Sequence, residues 1–233
     1  MKIALFGYGK MGKMIERTAL GRGHVISTKV DIGTTNIDFS DMDVAIDFST
    51  PDSALGNISS CLEHDIPIIS GTTGWLKDYD KVLDLCHEKN GAFIYASNFS
   101  LGVNIFFELN TYLAKMMRNV NEYKIALEET HHTQKLDAPS GTAITLAQGV
   151  IENTDYLDWK LDGNGEKTVP ITSKRIDAVP GTHTVSYHSE VDSIEIQHTA
   201  HNREGFALGA VIAAEWILGK KGIFSMKDVL NLG

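Results

Sequence analysis

The residues best suited to chemistry lie in one short segment in the second half of the chain. It contains two adjacent histidines, His131 and His132, and a lysine, Lys135. Imidazoles and an ammonium group can bind an anionic ligand and move protons near neutral pH. The segment ends at Gly141 and Thr142, where a helix is predicted to begin, and the free N–H groups of a helix start suit a carboxylate. We therefore expect a site that binds a small anionic substrate and transfers a proton.

Other interpretations of this segment stay open. Ser140 or Asp137 can simply cap the helix, and the whole segment can be a solvated surface loop. A metal site would use His131 and His132 with an acidic partner, but neighbours on a strand point to opposite faces. No other compact histidine or cysteine cluster is evident, so we expect no metal. The remaining histidines of this half are expected to be mostly structural or exposed, with some able to face the same cleft: His183, His188, His198 and His201.

A glycine loop near the N-terminus predicts a dinucleotide site. The loop Gly7-Tyr8-Gly9-Lys10-Met11-Gly12 follows a predicted strand and opens a predicted helix. In this motif the first glycine permits a tight turn, the second lets the backbone approach a diphosphate, and the third lets helix and strand pack closely. A tight turn without a ligand is the alternative for an isolated match. The strand and helix around the motif favour the dinucleotide.

Asp31 ends the second predicted strand, about 20 residues beyond the glycine loop, where a carboxylate can accept hydrogen bonds from ribose hydroxyls. It is followed by Ile32 and Gly33, so no adjacent cation is offered to a 2'-phosphate. We therefore expect NADH rather than NADPH, with NADPH as the alternative and Lys10 and Lys29 as candidate phosphate contacts.

Two further loops leave the expected carboxyl edge of the sheet, where ligands of such sheets bind. They are Gly71-Thr72-Thr73-Gly74 and Ser97-Asn98-Phe99-Ser100. Their common position after strands favours a role beside the nicotinamide, where Thr and Asn can bond the carboxamide. Ordinary turn chemistry is the alternative for each loop taken alone.

The elements around these motifs predict two lobes. Strands and helices alternate in the first half, which implies right-handed crossovers and a parallel sheet. The second half has a helix over 103–117, a strand over 122–131, a helix over 143–151 and an antiparallel hairpin over 183–199, with a turn-rich loop at 156–168. An apolar helix over 206–218 is expected to return to the first lobe.

Composition excludes several classes of protein. The 233 residues are 42% hydrophobic and 22% charged, which is typical of folded globular domains and not of disorder. The net charge of −9 argues against a nucleic-acid surface. No apolar run is long enough for a transmembrane helix or signal peptide, so we expect a soluble, cytoplasmic protein. The two cysteines, Cys61 and Cys86, are expected to be buried thiols.

With these motifs, the chain resembles the 4-hydroxy-tetrahydrodipicolinate reductase (dihydrodipicolinate reductase) family of the diaminopimelate route to lysine. The resemblance runs along nearly the whole chain, and its most specific block is His131 to Thr142. The other matching segments are the glycine loop, Asp47-Phe48-Ser49, Gly71 to Gly74, Ser97 to Asn104, Arg175, Gly181-Thr182-His183 and Ala200 to Trp216.

The resemblance implies a role for each matching residue. His131 and Lys135 match the catalytic histidine and the proton-donating lysine, and His132, Gly141 and Thr142 match substrate contacts. The glycine loop and two further loops match the cofactor site: Gly71, Thr72, Thr73, Ala96, Ser97, Asn98 and Phe99. The implied fold is α/β, with a Rossmann-like dinucleotide domain at 1–102, completed by 203–233. A central α+β domain at 103–202 would bind substrate and form a homotetramer.

The implied reaction removes water from 4-hydroxy-tetrahydrodipicolinate, adds hydride to ring C4 and then adds a proton. Many members of the family carry a basic residue at the position of Ile32, so its absence here favours NADH. The alternatives are an NAD-dependent dehydrogenase of another small acid and a non-catalytic nicotinamide-sensing protein. The sensor would have no use for His131 and Lys135.

Overall fold

The computed structural model describes residues 1–34 and 36–232. The strands, in chain order, are β1 (Lys2–Phe6), β2 (Val25–Val30), β3 (Val44–Asp47), β4 (Ile68–Ser70), β5 (Ala92–Tyr95), β6 (Lys124–His131), β7 (Asp158–Leu161), β8 (Thr168–Arg175), β9 (Gly181–His188), β10 (Ser193–Ala200) and β11 (Gly222–Phe224). The α-helices are α1 (Lys10–Gly21), α2 (Pro51–Glu63), α3 (Tyr79–Glu88), α4 (Leu101–Met117), α5 (Gly141–Ile151), α6 (Glu204–Ile217) and α7 (Met226–Leu230). None of the helices described is long and apolar enough to cross a membrane.

The packing divides the chain into two compact units. The first comprises residues 1–101 and the C-terminal segment from Glu204, and the second comprises Gly102–Arg203. These bounds differ by one residue from the domain bounds expected from the sequence. The roles assigned to the two domains stay predictions.

The first unit is built on a six-stranded sheet in which all neighbouring strands are parallel, in the order β11-β5-β4-β3-β1-β2. Strands β3 and β4 are buried along their whole length, as expected when helices cover both faces of a sheet. Successive side chains of β1 point to opposite faces of the sheet. Ile3 and Leu5 pack in one core, and Ala4 and Phe6 pack in the other. The expected parallel α/β sheet is confirmed.

Helix α6 belongs to the first unit although it follows the second unit in sequence. Its buried residues, among them Ala210 and Val211, share a core with Ile3 of β1. The helix approaches the loop after β5 closely at Gly209, where a Cβ atom would lie 1.7 Å from the backbone oxygen of Phe99. The expected return of this helix to the first lobe is confirmed.

The second unit contains a five-stranded mixed sheet in the order β10-β9-β6-β8-β7. Strand β6 is antiparallel to β9 and parallel to β8, and β9 and β10 form the expected antiparallel hairpin. Ile125 and Leu127 of β6 pack in one core with Ala143 and Leu146 of α5. The two elements that flank the His131–Thr142 segment are therefore fixed by the same core.

Two expectations about the elements need correction. The segment 156–168 was expected to be a loop, but it contains β7 and ends where β8 begins, and the two strands pair in parallel. The glycines of this segment form the turn after β7 and do not prevent a short strand before it. Strand β8, strand β11 and helix α7 were also not predicted. Strand β11 and helix α7 have only three and five residues and carry little periodicity.

Candidate active site

The glycine loop connects β1 to α1 in the first unit. Gly7 has a φ of +88°, and a Cβ there would lie 2.2 Å from the backbone oxygen of Phe48. A Cβ on Gly12 would lie 2.3 Å from the backbone oxygen of Gly7. At Gly9, by contrast, a Cβ would meet no atom within 4 Å, so the space beside this residue is open. This cradle fits a diphosphate at the start of α1, because backbone N–H groups can approach it directly.

Tyr8 and Lys29 form a small polar cluster beside the glycine loop. The Tyr8 hydroxyl donates a hydrogen bond to Glu16, and the Lys29 ammonium lies 2.6 Å from the same carboxylate. These hydrogen bonds, that from Lys29 first, hold the pKa of Glu16 below its usual value. Lys29 is therefore paired within the protein. Lys10, the first residue of α1, is exposed, and Met11 beside it is half-buried.

Asp31 follows β2, the strand next to β1, and is exposed. One oxygen of its carboxylate accepts a hydrogen bond from the N–H of Ile32 at 2.9 Å. The Ile32 side chain itself is 97% exposed. An acidic group followed by an apolar side chain therefore stands at the same sheet edge as the glycine loop.

A buried carboxylate, Asp47, organises the loops after β3 and β4. One of its oxygens accepts hydrogen bonds from Ser49 and Asn57 at 2.6 and 3.0 Å. The other accepts from Ser70 and Thr72 at 2.9 and 2.7 Å. Asp47 was assigned no role from the sequence, although it is a charged residue at the end of an apolar strand and lies in a segment that matches the family. Because the Thr72 hydroxyl is bound to Asp47, it serves the protein's own structure.

The loops Gly71–Thr73 and Ala96–Phe99 follow neighbouring strands, β4 and β5, and so lie at one sheet edge. A Cβ on Gly71 would lie 2.3 Å from the Phe48 ring, so the first loop also requires a glycine. Ala96 and Phe99 are buried, and the Asn98 amide oxygen accepts a hydrogen bond from the Ser100 N–H at 2.9 Å. Thr73 and Ser97 are exposed. These two hydroxyls are therefore the ones a ligand can reach.

In the second unit, His131 ends strand β6 and meets a histidine from β9. The pairing of β6 with β9 places Glu129 opposite His183. The Nε2 atoms of His131 and His183 are 3.3 Å apart, and Glu129 Oε2 lies 3.4 and 3.6 Å from them. Burial lowers the pKa of His183 below its usual value, against the opposing effect of Glu129. Of these three residues, only His131 was assigned a role from the sequence. His183 was one of four histidines expected to be mostly structural or exposed, with some able to face the same cleft.

Glu129 is fully buried and is held by several donors. Its carboxylate accepts hydrogen bonds from the Ser140 N–H at 3.0 Å and from the Ser173 hydroxyl at 2.7 Å. Burial by itself would raise the pKa of Glu129, but the donors around it, His131 and His183 first, hold it far below its usual range. Glu129 is therefore a charged carboxylate that is hydrogen-bonded to Ser140, the residue before α5.

The loop after β6 places Lys135 beside an acidic partner. The Lys135 ammonium lies 2.8 Å from both oxygens of Asp137, and this contact lowers the pKa of Asp137. Arg175 of β8 braces the loop, because its guanidinium donates hydrogen bonds to the backbone oxygens of Lys135 and Asp137 at 3.3 and 2.7 Å. The lysine is only partly exposed, at 21% of its side chain, so its position is restricted.

Helix α5 begins beside this loop. Ser140 is its N-cap, with a hydroxyl that accepts a hydrogen bond from the Ala143 N–H at 3.2 Å. Of the two candidates, Ser140 and Asp137, it is therefore Ser140 that caps this helix. Gly141 is exposed with open space beside it, and Thr142 is half-buried. The first N–H groups of a helix have no partner within the helix, so they can bind an anion.

His132 is half-buried, and its Nδ1 atom is enclosed without a hydrogen-bond partner among the described residues. A polar atom in this position is costly unless a ligand or water completes it. His132 is thus suited to a ligand contact, as the resemblance implies, and it does not join the cluster of Glu129, His131 and His183.

The expectation that no compact histidine cluster exists is wrong. Glu129, His131 and His183 bring one donor atom each to within 4.8 Å of one another. His131 and His183 are 52 residues apart, so only the pairing of β6 with β9 reveals the cluster. The strand argument against a site made of His131 and His132 still holds.

The chain is similar to known proteins along its whole length. The family models for the N-terminus and C-terminus of dihydrodipicolinate reductase match residues 1–99 and 102–230. A 4-hydroxy-tetrahydrodipicolinate reductase from Christiangramia forsetii is 56% identical, covering 99% of this chain and 98% of that protein. The protein of the same name from Thermosipho africanus is 35% identical over the same shares of both chains.

A solved structure shares the fold. The dipicolinate-bound dihydrodipicolinate reductase from Paenisporosarcina sp. TG-14 superposes with a TM-score of 0.81, covering 97% of each chain at 21% sequence identity.

Proposed function

Because the chain belongs to the dihydrodipicolinate reductase family, we propose that it reduces 4-hydroxy-tetrahydrodipicolinate by hydride addition at ring C4 and proton donation from the Lys135 loop. This reaction belongs to the diaminopimelate route to lysine. The observation that carries the proposal is the segment from His131 to Thr142, where an ion-paired lysine, two histidines and an open helix start lie together.

The first unit binds the cofactor, and a bound reduced nicotinamide supplies the hydride. The backbone around Gly9 holds the diphosphate, and the exposed Asp31 accepts hydrogen bonds from the ribose. NADH is preferred over NADPH, because Asp31 repels a 2'-phosphate, Ile32 offers it no charge, and Lys29 is paired with Glu16. Thr73 and Ser97 are the side chains available to the carboxamide.

The second unit binds the cyclic dicarboxylate. The N–H groups of Gly141 and Thr142 hold one carboxylate at the start of α5. His132, whose Nδ1 has no partner among the described residues, contributes a further polar contact. These groups place the ring beside Lys135 and keep it oriented there.

Lys135 carries the proton. When hydride reaches C4, electron density moves toward the ring nitrogen, and the Lys135 ammonium stabilises that charge before giving up a proton to complete the product. Asp137 holds the ammonium at 2.8 Å. Glu129 and His183 orient the ring of His131 at the end of β6. This ring assists Lys135 in the proton transfer.

Oxidation of NADH, followed by absorbance, tests the proposal when the substrate is generated in situ from pyruvate and aspartate semialdehyde by the preceding synthase. We expect turnover with NADH and weaker turnover with NADPH. If the protein binds NADH but no cyclic imine causes its oxidation, the substrate assignment is refuted. Equal or better use of NADPH would refute the cofactor preference alone.

We further propose a homotetramer assembled through the second unit and located in the cytoplasm, where reduced nicotinamide cofactors are supplied. Support for the assembly comes from the family resemblance. Light scattering on the purified protein, coupled to size-exclusion chromatography, gives the mass directly, and a monomeric mass would contradict this part of the proposal.

A further inference from the structure

Three buried donor atoms form a nearly regular triangle at the end of β6. They are Nε2 of His131, Nε2 of His183 and Oε2 of Glu129, and their separations are 3.3, 3.4 and 3.6 Å. The two imidazole nitrogens are within hydrogen-bonding distance of each other. The two histidine–carboxylate distances, 3.4 and 3.6 Å, are longer than the roughly 2.7–3.2 Å usual for N–H···O hydrogen bonds, so the carboxylate lies close to both rings without a short hydrogen bond to either.

The same distances match the edges of a zinc site. In a tetrahedral site with ligands at about 2.0–2.1 Å from the metal, neighbouring ligand atoms lie about 3.3–3.4 Å apart. Two imidazoles and one glutamate are a known ligand set for zinc. The two nitrogen donors disfavour Mg²⁺ and Ca²⁺, which prefer oxygen.

The surroundings of Glu129 support a ligand role. The Ser173 hydroxyl donates to Oε1 at 2.7 Å and Arg175 approaches the same atom at 3.5 Å, which leaves Oε2 facing the imidazoles. The Ser140 N–H reaches both oxygens, at 3.0 and 3.2 Å. Such supporting hydrogen bonds orient carboxylate ligands in metal sites. The Ser140 hydroxyl lies 3.1 Å from Nε2 of His183, within hydrogen-bonding distance.

We propose that Glu129, His131 and His183 bind a zinc-class divalent cation and that the bound ion inhibits the enzyme. The ion occupies Nε2 of His131, and this ring then no longer supports the Lys135 loop in proton transfer. The inhibitory part rests on the proposed reductase function. The binding part rests on the triangle alone.

Cobalt titration of the metal-free protein tests the binding part without any turnover. Four-coordinate Co²⁺ absorbs visible light strongly, whereas six-coordinate Co²⁺ absorbs weakly, so the spectrum reports the geometry. We expect one Co²⁺ per chain with the strong bands, and displacement of Co²⁺ by Zn²⁺. The proposed site is refuted if Co²⁺ shows no saturable binding. It is also refuted if the bound Co²⁺ gives only the weak bands.

Matched variants locate the ion. His183→Asn and Glu129→Gln each remove a ligand, and we expect each to weaken binding by more than about 100-fold, since loss of a mere supporting group costs about 10–100-fold. His188→Asn removes an exposed imidazole on the same strand and should bind Co²⁺ as the unmodified protein does. Circular dichroism checks that the variants are folded. Equal affinity in His183→Asn and His188→Asn overturns the assignment, and the titration of the unmodified protein stays decisive if a variant misfolds.

The activity experiment separates the two parts. NADH oxidation should fall in proportion to the zinc occupancy and return when a chelator is added. Full activity at full occupancy overturns the inhibitory role. Lack of turnover both with and without zinc contradicts the proposed reductase function, whereas the cobalt titration still decides whether the metal site exists.

Discussion

Lys135 is the side chain whose positive charge and fixed position suit it to donate the proton in the proposed reaction. It is ion-paired with Asp137 at 2.8 Å and only partly exposed, and Arg175 braces the loop that carries it. In Lys135→Ala we expect kcat to fall by about 10²- to 10⁴-fold, the usual contribution of a positioned proton donor, while NADH affinity is unchanged. Steady-state kinetics and NADH fluorescence titration measure the two quantities.

Lys174→Ala is the control for this variant, because Lys174 is an exposed lysine of β8 in the same unit and pairs with Glu128 at 2.6 Å. It should keep its turnover. Near-normal kcat in Lys135→Ala, or an equal loss in both variants, would remove Lys135 from the mechanism.

Cofactor choice is also decided at the scale of single residues. Ile32 follows Asp31 and is 97% exposed, so Ile32→Arg adds a cation without disturbing packing. A charged hydrogen bond is worth about 1.5–3 kcal/mol, so the ratio of kcat/KM for NADPH over NADH should rise about tenfold to a hundredfold. Val191→Arg, 91% exposed in the second unit, adds the same charge elsewhere and should leave the ratio unchanged. A ratio that fails to move in Ile32→Arg would show that position 32 does not contact the 2'-phosphate.

At the scale of elements, an ionic contact fastens the end of α1 to α6. The Arg22 guanidinium donates two hydrogen bonds to Glu215 at 2.8 and 2.7 Å, and His24 lies 2.6 Å from the same carboxylate. The hydrogen bond from Arg22, aided by His24, lowers the pKa of Glu215. A carboxylate with a lowered folded-state pKa stabilises the fold above its unfolded pKa and loses that effect as pH falls through the folded pKa.

Glu215→Gln should therefore lower the free energy of unfolding by about 0.5–1 kcal/mol near neutral pH, a modest value because both side chains are partly exposed. The deficit should shrink as pH is lowered below about 4.3, the ordinary pKa of glutamate. Urea denaturation at about pH 7 and about pH 3 measures it. Glu88→Gln, which changes an exposed glutamate, is the control. An equal deficit at both pH values would show that the carboxylate charge is not responsible.

At the scale of the whole molecule, the chain has a parallel-sheet unit with the glycine loop and a mixed-sheet unit with the Lys135 loop. A ligand that binds only folded protein stabilises it by about 2.7 kcal/mol at 100 times its Kd. NADH at that concentration should raise the unfolding midpoint that reports the first unit by about 5–10 °C. Differential scanning calorimetry with and without NADH measures the shift.

Two glycines provide the variant and its control. A Cβ at Gly9 or at Gly21 meets no atom within 4 Å, so Gly9→Ala and Gly21→Ala should both fold. Only Gly9→Ala fills the space proposed for the diphosphate, and it should lose the shift that Gly21→Ala keeps. A full NADH shift in Gly9→Ala would contradict the proposed position of the cofactor.

The sequence by itself determined most of the elements and the motifs that are contiguous in the chain. The parallel sheet, the hairpin, the return of α6 and the Rossmann-like class are all confirmed, because periodicity, glycine positions and helix starts are local properties. The family was also recognisable, since the block from His131 to Thr142 is continuous.

Only the tertiary structure decided which distant residues meet. The pairing of β6 with β9 joins His131 to His183, and the fully buried Glu129 collects donors from three separate segments. Asp47 likewise gathers hydroxyls from the loops of two strands, which ties Thr72 into the protein's interior. Strand pairing depends on the summed packing of the entire sheet, so no short stretch of sequence contains this information.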